Sequence, residues 1–236
     1  MVKFGVKIVQ KGYQIAQISK LCLTAEALGF DSFWVADHMY SWGRKPTNEP
    51  AFECWTLLST LSAMTKTIRL GSLVTCQLFR HPALLAKMTS SFDVLSGGRL
   101  NLGIGACGPS TPIELGGFGL QFPKRAERLE RLVETLEILK MMWTSDKSSF
   151  AGKYFTLTDA LNSPKPMQKP HPPILVGGER DDILKVAAEH ANLWNCRRLR
   201  LGDFRRKVEQ LDSYCIANGR NAGDLGKSWR SSASYG

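Results

Sequence analysis

Short runs of branched apolar residues alternate along this chain with longer stretches in which apolar side chains recur every three or four positions. The short runs Phe4 to Val9, Ser32 to Ala36, Ile68 to Thr75, Leu100 to Ile104, Ile174 to Val176 and Asn192 to Cys196 read as strands. Lys227 to Tyr235 reads as the start of a seventh. Between them, Ile15, Ile18, Cys22, Ala25 and Leu28 mark a helix stopped by Gly29, and Phe52, Trp55, Leu58 and Leu61 line another. Leu84, Leu85, Met88, Phe92 and Leu95 follow Pro82, whose missing N–H costs nothing in a first helical turn. Gly97 and Gly98 then supply the left-handed residues that end that helix. Leu129, Leu132, Val133, Leu136, Leu139 and Trp143 trace a long amphipathic helix whose other face carries Arg and Glu at mutually attractive spacing. A small hairpin around Ala151-Gly152 and the proline-rich stretch Pro164 to Pro173 follow, and two more helices are marked by Ile183 to Ala188 and by Phe204 to Cys215.

Unbroken β/α repetition predicts a single α/β domain over residues 1–236, either a barrel or a doubly wound sheet. The first strand lacks the GxGxxG turn of a dinucleotide-binding sheet, which favours the (β/α) barrel. About seven strands can be counted where eight close a barrel, so the expected barrel is C-terminally short.

Composition changes this picture little. No apolar run is long enough to span a membrane, and the amino terminus has too short an apolar core for a secretory signal, which predicts a cytoplasmic protein with no membrane partner. The six cysteines are scattered without a CxxC pair and the four histidines do not cluster with them, so mostly buried thiols are expected, and the pattern implies neither disulfides nor a metal. A net charge of +10 favours anionic ligands, yet the basic residues are spread out and no RNA-binding signature is present, so no nucleic-acid partner is expected.

In a barrel, reactive groups collect at the carboxyl ends of the strands. Here those ends read Asp37-His38, Val74-Thr75-Cys76, Gly105-Ala106-Cys107-Gly108, Gly177-Gly178 and Asn195-Cys196. The set is polar and small, without a nucleophile–base pair, as expected where a cofactor supplies the chemistry and the protein supplies position. Asp37-His38 reads either as a pair that touches a cofactor ring and moves a proton or as a loop cap beside a surface histidine. Trp42 walls the pocket or simply packs. Gly177-Gly178, ahead of a helix near Arg180, offers backbone N–H groups to a phosphate.

Taken in order, AEALGFDSFWVADH, IRLGSLVTCQLFRHP, LSGGRLNLGIGACG, the helix ending ILKMMW, FAGKYFTL, PPILVGG and AEHANLWN resemble the bacterial luciferase-like family. Within it the chain is most similar to the deazaflavin-dependent branch that uses coenzyme F420. The resemblance covers nearly the whole chain and implies a TIM-like barrel, usually a homodimer, with a flavin or deazaflavin across the strand ends. The implied activity is hydride transfer between coenzyme F420 and a small organic substrate. Asp37 and His38 match the family's pair beside the ring, and Trp42 an aromatic on the substrate side. Leu73 and Val74, with Thr75, fall where deazaflavin-dependent members carry a bulge with a non-proline cis peptide behind the ring. Ala106 and Cys107, with Gly108, and Val176, Gly177 and Gly178 match segments that hold the cofactor's side chain and phosphate.

Some deazaflavin-dependent dehydrogenases have a glutamate general acid where this chain has Gly108, which speaks against a sugar-phosphate substrate. Relatives continue for another strand or two, so the chain reads as a shortened form of a longer protein. The alternatives are an FMN-dependent luciferase-like monooxygenase and a non-catalytic flavin-binding protein. A dimer is expected to bury the helices after strands two and three through Phe52, Trp55, Leu58, Leu84, Met88 and Phe92. The basic run Arg197, Arg198, Arg200, Arg205, Arg206 and Lys207 reads as a landing site for phosphate or tail carboxylates, or as a solvated helix face.

Overall fold

The computed structural model describes residues 2–40, 48–108, 111–197 and 199–231. In chain order the first elements are β1 (Gly5–Lys7), α1 (Ile15–Ala27), β2 (Ser32–Val35), α2 (Cys54–Met64), β3 (Arg69–Cys76), α3 (Pro82–Leu95) and β4 (Leu100–Gly105). They are followed by α4 (Thr111–Gly117), α5 (Arg125–Thr144), β5 (Lys147–Ala151), β6 (Thr156–Leu161), β7 (Ile174–Gly177), α6 (Asp181–His190), β8 (Leu193–Arg197), α7 (Leu201–Ala217) and β9 (Gly226–Arg230).

Seven strands form one parallel sheet in the order β1-β2-β3-β4-β7-β8-β9, and β5 and β6 make a separate antiparallel hairpin. The sheet is the expected (β/α) barrel wall. Among the described residues β1 and β9 are its two edges, so the wall is not closed. The first strand is shorter than the apolar run suggests: Gly5, Val6 and Lys7 pair in register with β2, the Ile8 N–H still reaches Trp34 O at 3.0 Å, and Phe4 stays exposed. No helix among the described residues is long and apolar enough to cross a membrane.

The core lies between the sheet and its helices. Phe33, Leu70, Leu100 and Ile174 on strands meet Leu58, Leu85, Leu136 and Leu184 on helices, all at 1% exposure or less. Each such side chain contributes on the order of 1.5–3 kcal/mol on burial. Trp143 on α5 locks that helix against α3, its Nε1–H reaching Thr89 Oγ1 at 3.2 Å. The same packing corrects the expected dimer face. Trp55, Leu58 and Phe92 are buried in this chain's own core at 3%, 0% and 2% exposure, because α2 and α3 turn those stripes onto the sheet, whereas Leu84 is 53% exposed.

One carboxylate ties the bottom of the sheet together. Glu26, near the end of α1, accepts hydrogen bonds from the backbone N–H groups of Lys66, Thr67 and Ile68 at 2.7–3.0 Å and from the Thr67 hydroxyl. Burial pushes this carboxyl up, but the four donors outweigh it and bring it from 4.5 to about 2. A carboxyl with its folded value below its unfolded one stabilises fully above the unfolded value and loses that stabilisation as pH falls through the folded one. Acid unfolding of the chain is therefore expected to steepen between about pH 4.5 and about pH 2, and Glu26→Gln to flatten that part of a stability–pH curve followed by urea denaturation.

Candidate active site at the strand ends

The carboxyl ends of β2, β3, β4 and β7 carry the candidate residues, and each end is built differently. At the exit of β2, Asp37 is 3% exposed and faces inward. Its Oδ2 accepts from Arg80 Nη1 at 2.8 Å and from the Cys76 N–H at 2.9 Å, and its Oδ1 accepts from Arg80 Nη2 at 3.0 Å. Arg80 also contacts Glu53, the N-cap of α2. Burial pushes the Asp37 carboxyl above its ordinary value while Arg80 and the Cys76 N–H pull it back. For Arg80 the balance is the reverse: burial lowers it, and Asp37 and Glu53 raise it beyond the ordinary arginine value. This cluster fixes the β2 exit to the β3 exit and to α2. In that position Asp37 orients the backbone that presents the next residue.

That residue is His38, partly exposed, with Nδ1 2.6 Å from Glu114 Oε1. The other Glu114 oxygen accepts the Met39 N–H at 2.9 Å, and Tyr40 donates its hydroxyl to Ile113 O at 2.7 Å. Glu114 is itself 2% exposed. Since a carboxylate only accepts, the Nδ1 contact with Glu114 is made by an N–H, which fixes the tautomer of the neutral ring. Glu114 sits on α4, a helix that the apolar pattern did not predict. Trp42 lies outside the described residues, as does Arg198.

At the exit of β3 the register against β4 shifts between Ser72 and Thr75, and the Leu73–Val74 peptide is cis, the geometry the resemblance implies there. Ser72 and Thr75 are fully buried, with Thr75 donating to Ser72 Oγ at 2.7 Å and Ser72 to Gly103 O at 2.8 Å. Leu73 and Val74 are partly exposed between them. Val74 leans across β4 as far as β7. A Cβ at Gly105 would stand 3.0 Å from Val74 Cγ2, and one at Gly177 would stand 2.9 Å from Val74 Cγ1. The glycines therefore make room for Val74, and Val74 with Leu73 forms an apolar shelf at the strand ends. Thr75, turned inward, supports that shelf from below.

A partly exposed apolar shelf at the β3 exit, next to the β2 exit that carries His38, offers a seat for the flat face of a ligand. Gly177→Ala tests the shelf. The added methyl should displace Val74 at an overpacking cost of about 1–3 kcal/mol and weaken cofactor binding about tenfold, measured by titration of the folded variant.

The remaining candidates are less uniform. Ala106 is buried, Cys107 partly exposed and Gly108 exposed with open space where a side chain would stand. Val176 is fully buried and backs the sheet. The Gly178 N–H donates to Asn195 O at 3.0 Å, and the first turn of α6 already holds Asp181 and Asp182, the latter paired with Arg125. Asp182 accepts the Ile183 N–H at 2.9 Å, so one carboxylate already lies at the helix end that the Gly-Gly turn offers to a phosphate. In the basic run, Arg197 is exposed and Arg206 pairs with Asp203 along α7, the pattern of a solvated face.

The cysteines are mostly buried thiols, with one pair that the spacing did not imply. Cys76 and Cys107 form a disulfide, with Cα atoms 5.3 Å apart, because the β3 and β4 exits are neighbours in the sheet although 31 residues separate them in sequence. Cys22, Cys54, Cys196 and Cys215 are buried free thiols as expected.

The same arrangement of elements recurs in solved structures. An F420-dependent secondary alcohol dehydrogenase in complex with an F420-acetone adduct superposes with a TM-score of 0.86 at 23% identity, over 96% of this chain and 68% of that one. The coenzyme F420 dependent tetrahydromethanopterin reductase of Methanopyrus kandleri gives 0.83 at 22% identity, over 97% and 65%. In sequence, the F420-dependent glucose-6-phosphate dehydrogenase of Amycolatopsis mediterranei is 31% identical over 179 residues, 75% of this chain and 53% of that protein. The chain thus spans about half the length of that relative. The model of the luciferase-like monooxygenase family matches residues 2–234, and the chain belongs to that family.

Proposed function

We propose that this chain is an oxidoreductase that binds coenzyme F420 across its strand ends and exchanges a hydride with a small organic substrate. The observation that carries this reading is the Leu73–Val74 shelf at the exit of β3, next to the β2 exit that presents His38 on Glu114. The F420-dependent enzymes among its relatives and structural neighbours support the cofactor. When bound, the deazaflavin would give or accept the hydride. Leu73 and Val74 would back its ring and keep water from that face. His38 would take the hydroxyl proton of an alcohol as its carbon loses hydride, and would return it to the carbonyl oxygen in the opposite direction. Ala106, Cys107, Gly108 and Gly177 would border the cofactor's side chain, and Trp42 the substrate. Rate would come mainly from holding hydride donor and acceptor close and aligned.

Glu114 adds a carboxylate to this site although Gly108 lacks one, but Glu114 is occupied by His38 and the Met39 N–H. A simple alcohol or carbonyl compound is therefore favoured over a sugar phosphate. The test is to mix the chain with oxidised F420 and a panel of secondary alcohols and sugar phosphates, following loss of cofactor absorbance. Reduction by an alcohol is expected. Binding without reduction by any of them would overturn hydride transfer in favour of a non-catalytic flavin-binding protein. We also propose a cytoplasmic homodimer. An apolar groove of about 650 Å³ on α1 and α2, lined by Ile15, Leu23 and Met64, supports a covered surface, and sedimentation as a monomer would contradict it.

A further inference from the structure

Cys76 is the last residue of β3 and Cys107 lies two residues past the end of β4, so the disulfide staples two neighbouring strand exits at the rim of the site. The two sulfurs differ in access: Cys76 is 6% exposed, while Cys107 is partly open. The other cysteines contrast with them, being buried thiols that burial pushes up, Cys22 to about 12 and Cys196 to about 11. We propose that Cys76 and Cys107 are a reversible redox site, exchanged with low-molecular-weight thiols and disulfides, whose state sets the geometry of the segment that holds His38.

The coupling follows a short path. Cys107 has φ 64, a left-handed conformation that a non-glycine residue keeps only when its surroundings fix it. The next residue, Gly108, exchanges hydrogen bonds with Thr111, its N–H donating to Oγ1 at 3.0 Å and its carbonyl accepting the Thr111 N–H at 3.2 Å. Thr111 opens α4, and one turn later Glu114 holds His38 and Met39. From the other sulfur, the Cys76 N–H donates to Asp37, the neighbour of His38. Reduction removes the covalent tie between these two arms and lets Cys107 and α4 shift relative to β3.

The exchange balances without an outside oxidant beyond the thiol–disulfide couple itself. Starting from the dithiol, the Cys107 thiolate attacks a small disulfide, forming a mixed disulfide and releasing one small thiol. The Cys76 thiolate then displaces the second small thiol as the Cys76–Cys107 bond forms. Two protein thiols lose two electrons and two protons, and one small disulfide becomes two thiols. Excess thiol runs the steps backward, entering at the more exposed Cys107.

The test equilibrates the full chain in reduced and oxidised glutathione at several ratios, alkylates it in the same neutral buffer with an excess of N-ethylmaleimide and maps the peptides. The peptides of Cys76 and Cys107 should be cross-linked under oxidising conditions and separate under reducing ones, where the more exposed Cys107 is alkylated, with the four free buried cysteines unlabelled in both. Amide hydrogen exchange across residues 106–118 should rise several-fold on reduction, and Cys76→Ser and Cys107→Ser should show the reduced pattern in every buffer. A bond that never forms, or never opens while the chain stays folded, overturns the redox site, and unchanged exchange in 106–118 overturns the coupling. The consequence for the cofactor rests on the function proposed above: F420 affinity should differ at least about threefold between the two states. Failure of F420 to bind in either state would count against that function, while peptide mapping and hydrogen exchange still decide the redox site.

Discussion

Arg80→Ala is expected to cost about 3–5 kcal/mol of stability, the range for stranding one partner of a buried ion pair. The Arg80 and Asp37 side chains are 7% and 1% exposed, so the alanine variant leaves a carboxylate in the interior with, among the described residues, the Cys76 N–H alone against it. For a chain of this size that corresponds to a fall of roughly 6–20 °C in Tm. The double variant Arg80→Ala/Asp37→Ala should lose less than the sum of the two single losses, because removing both charges removes the stranded one. Urea denaturation of the four proteins measures the cycle. A loss below 1 kcal/mol for Arg80→Ala, or strict additivity, would show that water enters and that the cluster does not anchor the β2 exit.

The largest catalytic effect should come from His38. Its replacement by alanine is expected to lower kcat by about 10²–10⁴, the usual worth of a positioned acid–base group, and to leave F420 affinity within about threefold of the parent. Glu114 acts through His38 and is a positioning residue. Glu114→Gln keeps a hydrogen-bonding side chain at Nδ1 but loses the carboxylate that fixes the tautomer. It should cost about 10–100-fold in kcat, as loss of such outer partners does elsewhere, and change the pH profile of kcat without a matching change in KM. A His38→Ala enzyme that keeps more than a tenth of its turnover would remove the histidine from the proton path. A Glu114→Gln enzyme with an unaltered pH profile would reduce Glu114 to a structural contact.

Much of the architecture was legible because a strand buried on both faces must be written in branched apolar residues and must empty into turn residues at its end. Ile68 to Thr75 and Leu100 to Ile104 do so, and both strands form there within a residue or two. The bulge at Leu73–Val74 was legible only through the resemblance, since nothing in LVT itself marks a register shift. The rest depended on contacts far apart in sequence. Glu114 meets His38 across 76 residues, and its helix has seven residues, too few to show a period. Asp37 reads as a ring-side acid or as a loop cap, and nothing local reveals that Arg80, 43 positions away, folds back onto it. The disulfide was hidden for the same reason: strand exits become neighbours only when the sheet assembles. In each case residue type was visible and the partner was not.

The strand-end shelf as a seat for coenzyme F420 is tested most directly by equilibrium titration of the purified chain with F420 and, separately, with FMN, followed by the cofactor's own fluorescence. Saturable binding of F420 is predicted, at least about tenfold tighter than FMN and weakened about as much by Gly177→Ala. Tighter binding of FMN, or F420 binding that Gly177→Ala leaves untouched, would contradict it.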